Sequence, residues 1–498
     1  MAGNGISSTR LLSVDLGTEG CKATVFSEKG EALARSYQQY PIVVPEPSWA
    51  EQDPRAWWNA FRTVVSSVTK QLTIGPSQIA CITLTGQSPV VVPVDKTGNA
   101  LMNAIIWMDR RAVKQSRIIE EETGHVEDPS MSLPKILWIK EHKPLIFRKT
   151  HKFLQATDFL ACKLTGKFVT DWLNANNYHF DIKRSRYPEE ILNQLGIPIE
   201  KLPEACKPTE IVGTVTERAS QELGMKRDIP VVIGGIDAYM AVVGANALKE
   251  GSVCEISGSS TCLMAPSNSI ILDKKKRVLC EAFPLLPNFW ITCAIMSSTG
   301  ASLRWFRDEF GKPGESYADL DREAEGAPVG SDGLIFLPYL MGERSPLWDP
   351  TARGVFIGLS LNHTRKHMIR AILEGCAFGI RHNLEVIEEL GGRVDEIRSC
   401  GGGAKSVLLG QIKADITGKP VVVLREMEAP ALGAAIVGAV ALGIYDDIRT
   451  AAEEMVKVKG KISPRRTFRK EYDFHFQMYK DAYVHLKEYF KRYYLHEN

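Results

Sequence analysis

Val231-Val232-Ile233-Gly234-Gly235-Ile236-Asp237-Ala238 lies near the midpoint of the chain, and its reading decides the fold. A run of β-branched residues ending in two glycines and a carboxylate predicts a buried strand that delivers an acid at its C-terminal end. The glycines allow a sharp turn, or a close backbone approach to a ligand, because no side chain stands in the way. A helix-compatible segment, residues 238–244, follows at once. A carboxylate between a strand's end and a helix's start occupies the place where open α/β sheets hold their ligands. Asp237 is therefore the candidate catalytic acid or base, with helix N-capping as its alternative role.

Two small turns flank that centre. Residues 11–26 read as strand, tight turn, strand, with Asp15, Gly17, Thr18 and Gly20 at the turn. Small residues there offer backbone N–H groups and a hydroxyl to phosphate oxygens. Asp15 beside them can hold Mg²⁺, directly or through water, although the same D-x-G pattern also ends ordinary hairpins. Residues 252–264 repeat the arrangement, with Gly258-Ser259-Ser260-Thr261 at the turn. One such turn in each half predicts two related half-domains that grip a polyphosphate.

Other strand ends carry polar groups. The strand 79–84 runs into Thr85-Gly86-Gln87-Ser88-Pro89, where Gln87 is an amide suited to a neutral hydroxylated ligand or to satisfying the turn itself. Trp107-Met108-Asp109-Arg110-Arg111 closes another apolar run. Asp109 there either accepts hydrogen bonds from sugar hydroxyls or caps the helix near Ala112, and Trp107 can stack on a carbon skeleton. A helix over 153–164, stopped by Gly166, precedes the polar stretch 170–178, which reads as a loop lining a polar pocket and includes Asp171 and Asn174. Residues 54–71, behind Asp53-Pro54, predict a helix with an Asp cap and proline at its first position. Ser297 to Gly300 open a helix whose N-terminus suits an anion. Residues 365–390 predict a long amphipathic helix with Glu374 among apolar neighbours. Gly401-Gly402-Gly403 lets a flat ligand lie on bare backbone, but it has neither G-x-G-x-x-G nor Walker A spacing.

With 498 residues the chain exceeds what one core supports, so it is expected to divide near its middle, into 1–247 and 248–498. Its C-terminal helix, 474–494, is expected to pack back on the body, its aromatic stripe serving as core. A formal net charge of +2, with lysine and arginine spread along the chain, leaves no basic face for nucleic acid or anionic lipid. No apolar run approaches a membrane span, and the first ten residues lack a signal peptide's apolar centre, which predicts a short flexible N-terminal lead. The ten cysteines show no CxxC pairing and no histidine partners at ligand spacing, which points away from zinc and towards a reducing, cytoplasmic setting.

Assembled in order, these residues resemble the FGGY carbohydrate kinase family, closest in character to its xylulokinase branch. Ser130-x-Ser132-x-x-Lys135-Ile136-x-Trp138-Ile139-x-Glu141-His142 is similar to the family's first signature. Gly401-Gly402-Gly403 through Ala414-Asp415 and Gly418-Lys419-Pro420 to Leu432-Gly433-Ala434-Ala435 is similar to the second. The resemblance implies an α/β fold of two actin-like ATPase (ribonuclease-H-like) domains around a central cleft, with sugar held mainly by the N-terminal half and ATP mainly by the C-terminal half.

By that resemblance Asp237 is the catalytic base and Asp15 the acid near Mg²⁺. Gly17, Thr18, Glu19, Gly20 and Lys22 belong to the first phosphate loop, and Gly258 and Ser259 to the second. Gly300 and Arg304 make further nucleotide contacts, and Gly402, Gly403 and Ser406 meet the adenine region. Gln87, Ser88, Asp109, Asp171 and Asn174 line the sugar pocket.

The family pattern is departed from in three places. Ser259 stands for the usual threonine, Ser88-Pro89 for a Met-His pair, and Ile236 for a third glycine. The expected activity is phosphorylation of a small sugar, a ketopentose such as xylulose, by MgATP. A polyol, another ketose or a sugar acid is the alternative acceptor, and a non-catalytic actin-like protein binding sugar and ATP the alternative class. The expected partner is a small-molecule sugar or polyol, with no nucleic acid and no membrane; a homodimer is compatible with the family.

Overall fold

The computed structural model describes residues 9–72, 78–125 and 127–497; the expected N-terminal lead falls outside them, at 1–8. The chain forms two compact units. The first comprises residues up to Gly244 with Pro284–Pro287 and Pro430–Met455; the second comprises Ala245–Phe283, Asn288–Ala429 and the residues from Val456 onward.

The first unit is built on six strands: β1 (Arg10–Leu16), β2 (Gly20–Ser27), β3 (Ala32–Gln39), β4 (Ile79–Gly86), β5 (Ile211–Thr214) and β6 (Pro230–Ile236). They lie in the order β5-β6-β4-β1-β2-β3. The first three form an antiparallel meander, β4 and β6 run parallel to β1, and β5 returns antiparallel along β6. Residues 11–16 of β1 are all buried, as a central strand covered on both faces requires.

The second unit carries β7 (Gly251–Ser257), β8 (Thr261–Ser267), β9 (Leu279–Ala282), β10 (Trp290–Met296), β11 (Val394–Cys400), β12 (Val421–Leu424) and β13 (Val458–Ile462). Their order is β9-β10-β8-β7-β11-β12-β13. Here β7, β8 and β10 repeat the meander, β11 and β12 the parallel pair, and β13 the antiparallel edge. The two units thus share one topology, and β9 is an added edge on the second.

Register turns this topology into a functional edge. Leu16 pairs with Gly86, and Gly86 with Ile236, so β1, β4 and β6 end level with one another. Gly17, Gln87 and Asp237 therefore leave the first sheet side by side. In the second unit Ile256 pairs with Cys400, which brings the turn after β7 level with Gly401.

Helix α1 (Pro54–Gln71) starts as the sequence predicts, with the Asp53 carboxylate accepting from Arg55 N at 2.9 Å and buried Trp57, Phe61 and Val64 on its inner face. Two expectations change. The predicted helix over 153–164 is a strand, Lys152–Leu154, followed by α3 (Ala156–Thr165), because a Gln155–Asp158 capping box starts the helix later. The polar stretch 170–178 is not a loop: Val169–Asp171 is a strand and Trp172–Ala175 a helical turn, whose N–H groups at Leu173 and Asn174 are capped by Asp171.

A single division at 247 also gives way. Helix α8 (Ala429–Ala441) packs on α4 (Asp237–Gly244) so closely that a Cβ at Gly433 would lie 1.8 Å from Met240 O. Its small residues permit that approach, so Pro430–Met455 returns to the first unit. Helix α9 (Arg469–Glu497) packs in the second unit, where Tyr472, Phe476, Tyr479, Tyr483 and Phe490 share a core with Phe378 of α6 (Arg365–Glu389). On α6, Glu374 is buried among apolar residues but satisfied by Arg370, Tyr472 and Gly330 N. No described helix is long and apolar enough to cross a membrane.

Candidate active site

Strand β6 reaches Asp237 through a bulge. Its register against β4 shifts between Val232 and Gly235. Gly234 sits there at φ +66°, and a Cβ on it would lie 1.8 Å from Leu84 O. Only glycine meets both demands, and the bulge turns the strand's end so that Asp237 starts α4 at the sheet edge. The half-buried Asp237 carboxylate accepts from Ala238 N at 2.7 Å. Burial, and then the negative charge of Asp15, push its carboxyl up to about 7. A carboxylate so poised takes up a proton near neutral pH.

Asp15, one residue before the end of β1, lies directly across from Lys22 on β2 and from Thr85 on β4. The turn that follows is braced from several sides. Gly17 N donates to Gly20 O (3.1 Å), Tyr40 donates to Gly17 O, Gln52 Nε2 donates to Thr18 O (2.7 Å), and Trp107 Nε1 donates to Thr18 Oγ1 (2.8 Å). As an acceptor from Trp107, the Thr18 hydroxyl keeps its own proton to donate. Gly20 packs under Tyr37, whose ring lies 2.5 Å from where a Cβ would stand, while Glu19 is exposed. The lack of a side chain at Gly20 is thus what admits Tyr37, and Glu19 stands at the surface of the turn.

The donor chemistry at Asp15 fits Mg²⁺. Two mutually repelling carboxylates, Asp15 and Asp237, supply oxygen ligands and a local excess of negative charge. Among the described residues no group of three or more acidic, histidine or cysteine side chains is placed to hold a metal ion by itself, so phosphate and water would complete the shell of an ion at Asp15.

Gln87 follows β4, its backbone N donating to Leu16 O at 3.0 Å. Its Nε2 donates to Gln52 Oε1 (2.7 Å), which also accepts from Trp57 Nε1 (3.1 Å). Since an indole N–H can only donate, this fixes Gln52 and hence Gln87, whose buried Oε1 has no partner among the described residues. Ser88 Oγ accepts from Asn177 Nδ2 at 2.9 Å. Asp171 and Asn174 form a buried pair, Nδ2 to Oδ2 at 2.6 Å, and Asp171 Oδ1 lies 3.1 Å from where a Cβ on Gly235 would stand. Burial pushes Asp171 up to about 6. The pair backs the β6 bulge, and Asn174 Oδ1 is buried without a partner among the described residues.

Asp109 is the exception among the expected pocket residues. It is fully buried, Oδ2 accepting from Ala50 N (2.6 Å) and Oδ1 from Arg111 N (2.9 Å), while the Arg111 guanidinium closes on both oxygens at 2.7–3.0 Å. Arg111 also pairs with Glu51 and lies over the rings of Trp49 and Trp138. Its oxygens are saturated by the chain, so Asp109 serves architecture rather than a sugar. Arg110 pairs with Asp128.

In the second unit the turn after β7 meets the start of α5 (Thr299–Phe310). Ala301 N donates to Ser259 O at 2.9 Å, the Thr261 and Thr299 hydroxyls lie 2.8 Å apart, and a Cβ on Gly300 would lie 2.2 Å from Gly258 O. Gly258, Ser259 and Gly300 are therefore one cluster, with Arg304 exposed one turn further on. Glu343 braces it from behind: its Oε1 accepts from Ser297 N (2.7 Å) and Arg344 N (2.8 Å), and burial pushes its carboxyl up to about 7. Gly300→Ala is expected to cost about 1–3 kcal/mol through overlap with Gly258, a loss measurable by thermal denaturation. Gly402 and Gly403 form a 3₁₀ turn against Ser257, and Ser406 caps α7 (Val407–Thr417) through Leu409 N at 2.9 Å.

Gln52, Glu343 and the bracing role of Trp107 carry no signal of their own in the sequence, whereas Asn177 and Thr299 lie within the segments 170–178 and 297–300 read there as pocket-lining and anion-binding.

The model of the FGGY family of carbohydrate kinases, N-terminal domain, matches residues 10–244, and that of the C-terminal domain matches residues 255–442. Xylulose kinase of Bacillus subtilis (strain 168) is 30% identical over 488 residues, covering 96% of this chain and 97% of that protein. Gluconokinase of the same organism is 31% identical over 482 residues, covering 93% of each. The crystal structure of ligand-bound xylulose kinase from Lactobacillus acidophilus superposes with a TM-score of 0.88 at 25% identity, covering 97% of this chain and 99% of that one. With both halves matched and relatives spanning nearly its whole length, the chain belongs to the FGGY family of carbohydrate kinases.

Proposed function

We propose that this sugar kinase phosphorylates a neutral ketopentose such as xylulose, with Asp237 as general base. The level ends of β1, β4 and β6, which gather Thr18, Gln87 and Asp237 at one sheet edge, carry this reading. Asp237 accepts the proton of a terminal sugar hydroxyl as that oxygen bonds to the γ-phosphorus of ATP and the bond to ADP breaks. Gly17, Thr18, Gly20 and Lys22 hold phosphate oxygens on the first unit, and Gly258, Ser259, Gly300 and Arg304 on the second. Gly402, Gly403 and Ser406 hold the adenine end. Mg²⁺, held by Asp15, supplies neutralisation of phosphate charge. Gln87, Ser88 and Asn174 orient the sugar, and Asp171 fixes Asn174.

A neutral acceptor is favoured because Arg110 and Arg111, the cations in the segment expected to line the pocket, are paired with Asp128, Asp109 and Glu51. The 31% identity to a gluconokinase makes gluconate the second reading. A coupled ADP-release assay over pentuloses, hexuloses, polyols and gluconate tests both. Preference for gluconate over every neutral sugar overturns the first.

The pH profile gives a further check. The base form of Asp237 is the deprotonated one, so kcat/KM falls as pH drops through its pKa. Positive charge beside Asp15 cancels the second cause of the upward shift, so the acid limb lies between the ordinary carboxylate value and about 7. A flat profile across that range contradicts the assignment.

A further inference from the structure

Of the Ser130 to His142 signature, only Trp138, beside Arg111, takes part in the site described above. Helix α2 (Ser132–His142) turns Lys135 into the interior of the first unit, where it is fully buried. Its Nζ donates to Ile106 O (2.9 Å) and Pro89 O (3.2 Å). Asp109 and Asp128 act on it through space, and burial pushes its ammonium down to about 7. A lysine sealed from solvent this way cannot reach a phosphate.

Its two partners adjoin residues of the expected acceptor pocket. Pro89 follows Ser88, which meets Asn177, and Ile106 precedes Trp107, which meets Thr18. The rest of the signature works on the same segments. Ser132 Oγ donates to Val90 O (3.3 Å) and accepts from Gln155 Nε2 (2.9 Å). Trp138 flanks Arg111, which holds Asp109 and through it Ala50 N.

Burying an ammonium on two neutral carbonyls is costly, and an apolar side chain of similar length would fill the space more cheaply. What the Nζ donors add is geometry, since one atom ties together two separate backbone segments. We propose that Lys135 is a positioning residue: it fixes the spacing of the Ser88 and Trp107 segments, and so the width of the acceptor pocket, without touching either substrate. This rests on the reading that these two segments line that pocket.

The test uses the full-length protein, D-xylulose and D-gluconate as acceptors, and Lys135→Met. In whichever acceptor the wild type phosphorylates, K135M is expected to raise the sugar KM about tenfold or more, the worth of a lost buried hydrogen bond. The KM for MgATP rises less than the sugar KM, since only the Trp107 segment touches the phosphate loop, through Thr18. Lys135→Gln, which keeps a donor nitrogen on a shorter side chain, is expected to fall between. An unchanged sugar KM in folded K135M, or an equal rise in both KM values, overturns the role. So does failure of both variants to fold, since the residue would then hold the unit rather than the pocket. A wild type that phosphorylates neither sugar overturns the acceptor reading itself, and this role with it.

Discussion

Replacing Asp237 by asparagine is expected to lower kcat by about 10²–10⁴-fold, the usual worth of a general base. The substitution is nearly isosteric. Asparagine Oδ1 can still accept from Ala238 N, so the start of α4 is preserved. What disappears is the basic oxygen, together with a negative charge beside Asp15. Sugar and ATP binding should therefore survive, which calorimetric titration of each ligand would measure beside turnover in the ADP-release assay. Stability provides the control. A carboxyl whose folded pKa is raised weakens the fold as pH climbs from its ordinary value through about 7, because the folded state prefers the proton. Asp237→Asn removes that penalty, so at pH 8 the variant should melt no lower than wild type. Near-normal turnover, or lost turnover with a lowered melting temperature, would remove Asp237 from the mechanism.

What the sequence disclosed about this site follows physical range. Gly234-Gly235-Ile236-Asp237 and the two small turns were legible because backbone constraints and short-range chemistry act over a few residues. Gly234 at φ +66° against Leu84 O is such a constraint. The duplicated sheet topology was legible because the two hairpins carry the same pattern of residues. Gln52 was not legible, since its partners Thr18 and Gln87 lie 34 and 35 residues away and only the fold brings them together. The return of Pro430–Met455 to the first unit was hidden for the same reason, as small residues in α8 reveal close packing but not the partner. Asp109 shows the opposite failure. An acid after a tryptophan reads equally well as a sugar ligand or an ion-pair partner, and only burial decides.

That decision has a measurable consequence at Arg111. Its side chain is almost fully buried between Trp49 and Trp138, and Asp109 beside it has no exposure at all. Arg111→Met keeps the length of the stem and removes the charge, which leaves Asp109 buried without the guanidinium that closes on both its oxygens. Breaking a buried pair from one side costs about 3–5 kcal/mol, because the surviving charge keeps its desolvation penalty and loses its compensation. Urea denaturation followed by tryptophan fluorescence should report this loss, since two indoles flank the guanidinium. Adding Asp109→Asn to Arg111→Met removes the stranded charge and should restore part of the loss, so the double variant is more stable than the single one. Two groups in contact cannot act additively, and the sign of the coupling identifies which is at work. If Asp109 instead bound sugar hydroxyls, Asp109→Asn alone would raise the sugar KM by more than its effect on the urea midpoint could explain. An architectural ion pair predicts the reverse order: stability falls first, and the folded fraction keeps the wild-type sugar KM.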